Sequence, residues 1–127
     1  MLGEGKIFAT VAVSDVEKAK EFYGETLGLK FLKEDPGGLT YKGGGETSLY
    51  VYQSQYAGTN KATYLGFMVD DVKAVAADLK SKGVEFETYP DLPMTTWDGD
   101  VATMEGADWQ GAWFKDPDGN ILSLGNM

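Results

Sequence analysis

The side chains that could do chemistry in this 127-residue chain are carboxylates, lysines, hydroxyls and aromatic rings, because the sequence contains no His, no Cys and no Arg. Zinc sites and His- or Cys-based nucleophilic centres therefore lack their usual residues. Arginine clamps on phosphate or carboxylate groups are impossible as well. The chain does offer six Phe, seven Tyr and three Trp residues. Such a set suits the binding of a small organic molecule by ring contacts and hydroxyl groups.

The densest group of these side chains lies in residues 93–113, PMTTWDGDVATMEGADWQGAW. Its large apolar residues are Met94, Trp97, Met104, Trp109 and Trp113. They are interleaved with the acids Asp98, Asp100, Glu105 and Asp108. Aromatic rings and acids on a loop could clamp a planar cation. The alternative is a strand hairpin whose tryptophans pack on a dimer partner and whose acids are solvated.

Charge and hydropathy exclude some classes of partner. The net charge of −9 repels phosphate backbones, so we expect no nucleic acid partner, and it favours a cationic ligand. Solubility alone would also account for this charge. No apolar run approaches the roughly 18 residues that a membrane span needs, and no signal peptide is evident. We therefore expect a cytoplasmic protein without membrane contact.

The chain repeats one pattern twice, so the elements that position these residues come in two copies. Residues 13–16, VSDV, return as 69–72, VDDV, and residues 28–31, GLKF, return as 83–86, GVEF. The offsets are nearly constant, 71 − 15 = 56 and 83 − 28 = 55. Two half-domains follow, each too small to bury a core alone.

The order of elements is the same in both copies. Residues 6–13 alternate, with Ile7, Ala9, Val11 and Val13 on one face and Phe8, Thr10 and Ala12 on the other. This alternation predicts a strand. Ser14 is then expected to cap a helix, with Glu17 completing a capping box and Gly28 ending the helix. In the second copy, 64–69 is the predicted strand, Asp70 the cap and Gly83 the stop.

Shorter strands follow each helix. In the first copy they are predicted at about 29–34, 38–42 and 46–53. In the second copy they are predicted at about 84–89, 99–104, 109–115 and 120–125, with the turn DPDGN at 116–120. Residues 54–62 read as a linker and 90–98 as a surface loop.

These motifs together resemble the vicinal oxygen chelate superfamily, the glyoxalase, bleomycin-resistance and extradiol dioxygenase group. The resemblance rests on VSD, FYGETLGL, VDDV and FKDPDGNIL at their spacing. It implies an α+β fold in which two βαβββ modules in tandem form a curled mixed sheet around a cleft, with the helices outside. One domain would span 1–127, with module one at about 5–53 and module two at about 63–127. Members commonly form homodimers, which we expect here.

The resemblance also locates four points where enzymes of the group hold a metal. The first-strand points fall on Phe8 and Tyr64, and the last-strand points fall on Tyr50 and Ser123. Phe8 has no donor atom, and neutral phenols or a serine hydroxyl are poor ligands for divalent ions. We therefore expect no metal, no other cofactor, and no glyoxalase or dioxygenase activity.

An aromatic wall would replace the metal centre in the implied cleft. The ligand-binding residues predicted in this way are Phe8, Thr10, Tyr50, Tyr52, Tyr64, Met68, Trp97, Trp109 and Ser123. Gly66 would leave room for the ligand. Core packing is the alternative role for Phe8 and Tyr64, because aromatic side chains on strands often fill a core.

Three functions remain open at this stage. The first is a metal-independent protein that binds a small molecule, such as an aromatic or cationic antibiotic, as the bleomycin-resistance branch does. The second is a metal-free isomerase, cyclase or lyase, with Tyr50, Tyr64 or an acid from 98–108 as its base. The third is a regulatory interaction subunit with exposed tryptophans as anchors. We favour the first, a binding protein and not an enzyme.

Overall fold

The computed structural model describes residues 1–106 and 108–126. The chain divides into two units, Met1–Thr59 and Asn60–Met127, and the boundary falls within the predicted linker. Each unit contains its own mixed sheet, of four strands in the first and six in the second. The predicted α+β class is confirmed. The cleft between the modules stays a prediction.

The first unit contains four strands, a short 3₁₀-helix at Leu2–Glu4 and one longer helical segment. Its elements are β1 Ala9–Val13, α1 Val16–Ala19 continued by a π-helical stretch Lys20–Thr26, β2 Lys30–Asp35, β3 Gly38–Lys42 and β4 Ser48–Gln53. The strand order is β1-β4-β3-β2. β1 and β4 are parallel, and the other neighbours are antiparallel. This is the predicted βαβββ module.

One face of this sheet packs on the helical segment. Its buried residues are Val11, Val13, Leu39, Tyr41, Leu49 and Val51. The Tyr41 ring lies against Gly24 of the π-helical stretch, where an added Cβ would be 3.6 Å from the ring. Side chains alternate along a strand, so Thr10, Tyr50 and Tyr52 lie on the opposite face. We call it the first open face.

The second unit repeats this plan with two additional strands. Its elements are β5 Thr63–Met68, α2 Val72–Ser81, β6 Phe86–Glu87, β7 Thr95–Asp98, β8 Val101–Met104, β9 Gln110–Lys115 and β10 Ile121–Gly125. The order is β5-β10-β9-β8-β7, and β6 pairs with β9. β5 and β10 are parallel, as β1 and β4 are in the first unit.

The core of the second unit lies between α2 and the sheet. Val72, Ala76 and Leu79 of α2 are buried. On the strands the buried apolar residues of this face are Val101, Ala112, Phe114, Leu122 and Leu124, whereas the buried Ala102 pairs with Trp97 and Gly111 on the other face. Phe114, Leu122 and Leu124 alternate with Trp113, Ser123 and Gly125. The latter three residues belong to the opposite face, which we call the second open face.

The structure corrects the predicted helix caps and the start of the first strand. Asp15, not Ser14, caps the first helix, because its carboxylate accepts hydrogen bonds from the backbone of Glu17 and Lys18. Asp71, not Asp70, caps α2 by accepting from Ala74 N. β1 begins at Ala9, so Ile7 precedes the strand of which it was predicted to be part, and it is 91% exposed.

The helix stops are where the sequence placed them, but one strand was missed. Gly28 and Gly83 have φ of +76° and +90°, a conformation that glycine adopts without strain. β7 lies within residues 90–98, which were predicted as a surface loop, and it forms a hairpin with β8. Among the described residues, no helix has the length and apolar character to cross a membrane.

Candidate functional site

The strand registers place the predicted site residues of the two modules at equivalent positions. Thr10 lies opposite Tyr50 in the β1–β4 pair, and Gly66 lies opposite Ser123 in the β10–β5 pair. The offset between the first-strand members of the two pairs, 66 − 10 = 56, is the same as that between the repeated motifs. Tyr50 and Ser123 are therefore corresponding last-strand residues.

Tyr50 on the first open face is held by a carboxylate. Its phenol donates a 3.0 Å hydrogen bond to Asp35 Oδ1, which also accepts bonds from Gly37 N at 2.8 Å and Gly38 N at 3.0 Å. Gly37 permits this contact, since an added Cβ would lie 2.6 Å from the phenol oxygen. The ring of Tyr52 stacks on that of Tyr50, with centroids 6.3 Å apart and planes 11° from parallel.

These contacts move the pKa values of both groups away from neutrality. The Gly37 amide is the main cause of a lowered Asp35 pKa, followed by the Tyr50 hydroxyl. Burial is the main cause of a raised Tyr50 pKa, followed by the hydrogen bond to Asp35. A general base works best with a pKa near the operating pH. The pair is therefore poorly suited to proton transfer at neutral pH.

The two first-strand candidates differ in their placement. Phe8 precedes β1 and its side chain is 57% exposed, so it is not a core residue. Tyr64 is half-buried and lies at a bulge, because Thr63 pairs with Ile121 while Leu65 pairs with the next residue, Leu122. A bulge redirects side chains locally.

The remaining β5 candidates lie on the second open face. Met68 pairs with Gly125, and its side chain is 77% exposed. The space beside Gly66 is not free for a ligand as expected, because an added Cβ would lie 2.7 Å from Ser123 Oγ. Gly66 therefore accommodates the serine hydroxyl.

Four aromatic rings gather on the second open face. Trp113 is at their centre, with ring centroids 5.5 Å from Tyr89 and 5.9 Å from both Trp97 and Trp109. The rings meet at angles of 46° to 80°, as aromatic pairs prefer. Trp109 lies over Gly111, where any Cβ would collide with the indole. We call these four residues the tryptophan cluster.

Of the indole N–H groups of Trp113 and Trp97, only that of Trp113 has a hydrogen-bond acceptor among the described residues. Trp113 Nε1 donates a 3.2 Å hydrogen bond to Thr63 Oγ1. Trp97 Nε1 is buried and has no acceptor among residues 1–106 and 108–126. Buried polar groups are normally paired, so this indole N–H is an exception. Burial is the main cause of a raised Tyr89 pKa.

Two of the four acids predicted to clamp a ligand, Asp98 and Asp100, form ion pairs with lysines. Asp98 Oδ2 lies 3.0 Å from Lys73 Nζ, and Asp100 Oδ2 lies 2.9 Å from Lys80 Nζ. Both lysines belong to α2, on the side of the sheet opposite the tryptophan cluster. These two acids therefore contact the helix, and ligand binding by the aromatic residues stays a prediction.

Comparison with protein families assigns the chain to a known group. The model of the Glyoxalase/Bleomycin resistance protein/Dioxygenase superfamily matches residues 7–124. The chain belongs to this superfamily. A search of curated proteins found no match.

Solved structures of the superfamily are similar to the chain over nearly its whole length. A glyoxalase/bleomycin resistance protein from Streptomyces sp. CB03234 is 31% identical with a TM-score of 0.66, covering 94% of this chain and 98% of its own. TnmS3, an antibiotic binding protein from the same organism, is 32% identical with a TM-score of 0.67, covering 92% and 90%. A glyoxalase family protein from Enterococcus faecalis has 24% identity, a TM-score of 0.72 and coverage of 98% and 99%; at this identity the likeness concerns the fold.

The residues at the superfamily's metal points do not fit a divalent ion. Phe8 offers no donor atom, and the hydroxyl group of Tyr50 already donates a hydrogen bond to Asp35. Ser123 and Tyr64 supply only neutral oxygens. Within the described ranges, no three carboxylates stand close enough together to hold a metal. We therefore derive no chemical step through a metal.

Sequence reasoning overlooked three residues of these faces. Asp35 is the last residue of β2 and was not among the predicted site residues. Its signal was the Asp-Pro-Gly-Gly turn, in which an aspartate commonly accepts backbone N–H bonds. Tyr89 contacts the Trp113 ring and Thr63 accepts a hydrogen bond from it. Both residues are distant from Trp113 in the sequence, so no local pattern indicates these contacts.

Proposed function

We propose that this protein binds an aromatic small molecule of the antibiotic kind without a metal ion, and that the tryptophan cluster is its principal binding surface. The observation that carries this proposal is the gathering of Trp97, Trp109 and Tyr89 around Trp113 on one sheet face. The face of a single aromatic ring can stack on a planar ligand, and small-molecule sites combine aromatic walls with a few polar groups.

Two further observations support the proposal. A relative that is 32% identical over 92% of this chain is described as an antibiotic binding protein. The metal points of the superfamily carry side chains that divalent ions disfavour, so binding replaces metal chemistry. The expected cytoplasmic location and the expected homodimer belong to the proposal. The molar mass of the purified protein, measured by light scattering after size-exclusion chromatography, tests the dimer.

Polar groups near the cluster indicate what the ligand offers. The Trp97 indole N–H is buried and lacks an acceptor in the described residues, so the ring would have to turn before a ligand could reach this donor. A ligand with a carbonyl or ether oxygen beside its ring system would then satisfy this donor. The ligand class is therefore a planar aromatic molecule with acceptor oxygens.

The test is a titration followed by tryptophan fluorescence and, independently, by calorimetry. The panel contains bleomycin and planar aromatic antibiotics such as daunorubicin, in buffer with EDTA. We expect saturable quenching by at least one compound. Trp97→Phe and Trp109→Phe should each weaken its binding about three- to tenfold, since aromatic pairs contribute roughly 0.5–1.5 kcal/mol. The control Tyr56→Phe alters an exposed ring outside the cluster and should change nothing. Equal affinity in all variants would contradict the assignment to this face.

A further inference from the structure

A second binding feature lies in the first unit, at the turn between β2 and β3. Three hydrogen bonds converge on one carboxylate oxygen, Asp35 Oδ1, from Gly37 N, Gly38 N and Tyr50 Oη. The carboxylate is thereby fixed in orientation. In the described part of the chain, no hydrogen bond or ion pair reaches its other oxygen, Oδ2. Because the carboxylate is held in place and only one of its oxygens is occupied, the other oxygen can accept a hydrogen bond from a donor group of a ligand.

Two parallel rings stand beside this carboxylate. Tyr50 and Tyr52 are stacked, and both are half-buried on the first open face. The residues opposite Tyr50 on the two neighbouring strands are the small side chains Thr10 and Thr40. Tyrosine faces attract cations within about 6 Å of the ring. Ring faces and a free carboxylate oxygen together form the usual surroundings of an alkylammonium group.

We propose that Asp35, Tyr50 and Tyr52 form a site for an organic ammonium group. All three residues belong to the first unit, so the inference stands independently of the proposed function. Lys33 lies on the same face, opposite Thr40, and its charge acts on the Asp35 carboxylate. The site therefore takes a single cationic group, and Lys33 weakens the binding of that group.

The experiment compares choline with 3,3-dimethylbutan-1-ol, a neutral molecule of the same shape. Binding is followed by the amide NMR signals of Gly37 and Gly38, whose N–H groups bond to Asp35, and by the three indole signals as reporters of the other face. We expect saturable shifts at both glycines with choline, in about the millimolar range, and at least fivefold weaker effects with the alcohol.

Matched variants separate the carboxylate charge from the fold. Asp35→Asn keeps an acceptor for the three hydrogen bonds and should weaken choline binding about three- to tenfold. Glu34→Gln is the control, because Glu34 is one residue away, faces the helix and pairs with Lys20 Nζ at 2.9 Å. Its effect should stay within about twofold. Lys33→Gln should strengthen choline binding about twofold by removing the repulsive charge.

Several results would overturn the inference. Equal shifts with choline and the alcohol would show that charge plays no part. Equal losses in Asp35→Asn and Glu34→Gln would indicate a diffuse effect of net charge. Shifts confined to the indole signals would place the cation on the tryptophan cluster. If Asp35→Asn itself perturbs the turn, Tyr52→Leu provides the second test, with an expected loss of about threefold.

Discussion

The unpaired indole N–H of Trp97 makes a quantitative prediction about stability. Trp97→Phe and Trp113→Phe remove the same atoms from two half-buried indoles of one cluster. Trp113→Phe loses the hydrogen bond to Thr63, a contribution of about 1 kcal/mol. Trp97→Phe instead removes a buried donor that has no acceptor, which relieves a cost of about 1–3 kcal/mol. Trp97→Phe should therefore be less destabilising than Trp113→Phe by about 2–4 kcal/mol.

The assay is urea-induced unfolding monitored by far-ultraviolet circular dichroism, since the substitutions alter the fluorescent residues themselves. Equal slopes against urea concentration would show that both variants unfold from comparable states. Thr63→Val, which removes the acceptor of Trp113 alone, should cost about 1 kcal/mol or less because Thr63 is exposed. A free energy of unfolding for Trp97→Phe equal to or below that of Trp113→Phe would refute the reasoning.

Three further outcomes follow from the hydrogen bonds of aspartates. Asp116→Ala should lower the free energy of unfolding by about 3–5 kcal/mol in urea titrations, because this buried carboxylate accepts bonds from Asn120 N and Asn120 Nδ2 in the last hairpin. Asp71→Ala should cost about 1 kcal/mol by removing the cap of α2, whereas Asp70→Ala should stay within about 0.5 kcal/mol; thermal denaturation of both compares them. The Gly37 amide lowers the pKa of Asp35, so the carboxylate stays charged in acid, and choline affinity measured by NMR should be constant from about pH 8 to about pH 5 and fall only near pH 4 or below.

The repeated modules could be predicted from the sequence because their signals are local. Alternation of apolar residues indicated the strands, and Gly28 and Gly83 ended the helices in the left-handed conformation that glycine tolerates. The caps were displaced by one residue, since Ser14 and Asp15 are both good caps and the sequence does not show which side chain reaches the free amides. Such a choice depends on backbone angles.

The missed strand β7 shows the limit of composition as a guide. Residues 90–98 contain two prolines and two aspartates, which favours a loop. Thr95, Thr96 and Trp97 have high strand propensity, however, and β8 provides a partner for them. Pairing with a neighbouring strand outweighed the local turn residues.

The candidate site was predictable only in part. Trp97 and Trp109 were singled out by their density in one segment, and the structure brings both against Trp113. The contacts of Asp35 with Tyr50 and of Trp113 with Thr63 join residues 15 and 50 positions apart. Contacts of this kind depend on strand register, which a single sequence does not specify.

The most direct test of metal-independent binding is calorimetry of one aromatic antibiotic with the purified protein, first in EDTA and then after dialysis against Zn²⁺ or Ni²⁺. The account predicts a saturable affinity that is the same within about twofold in both conditions, and that falls in Trp109→Phe. Binding that appears only with added metal would contradict the account, because it would require donor atoms that Phe8, Tyr50, Tyr64 and Ser123 do not supply well.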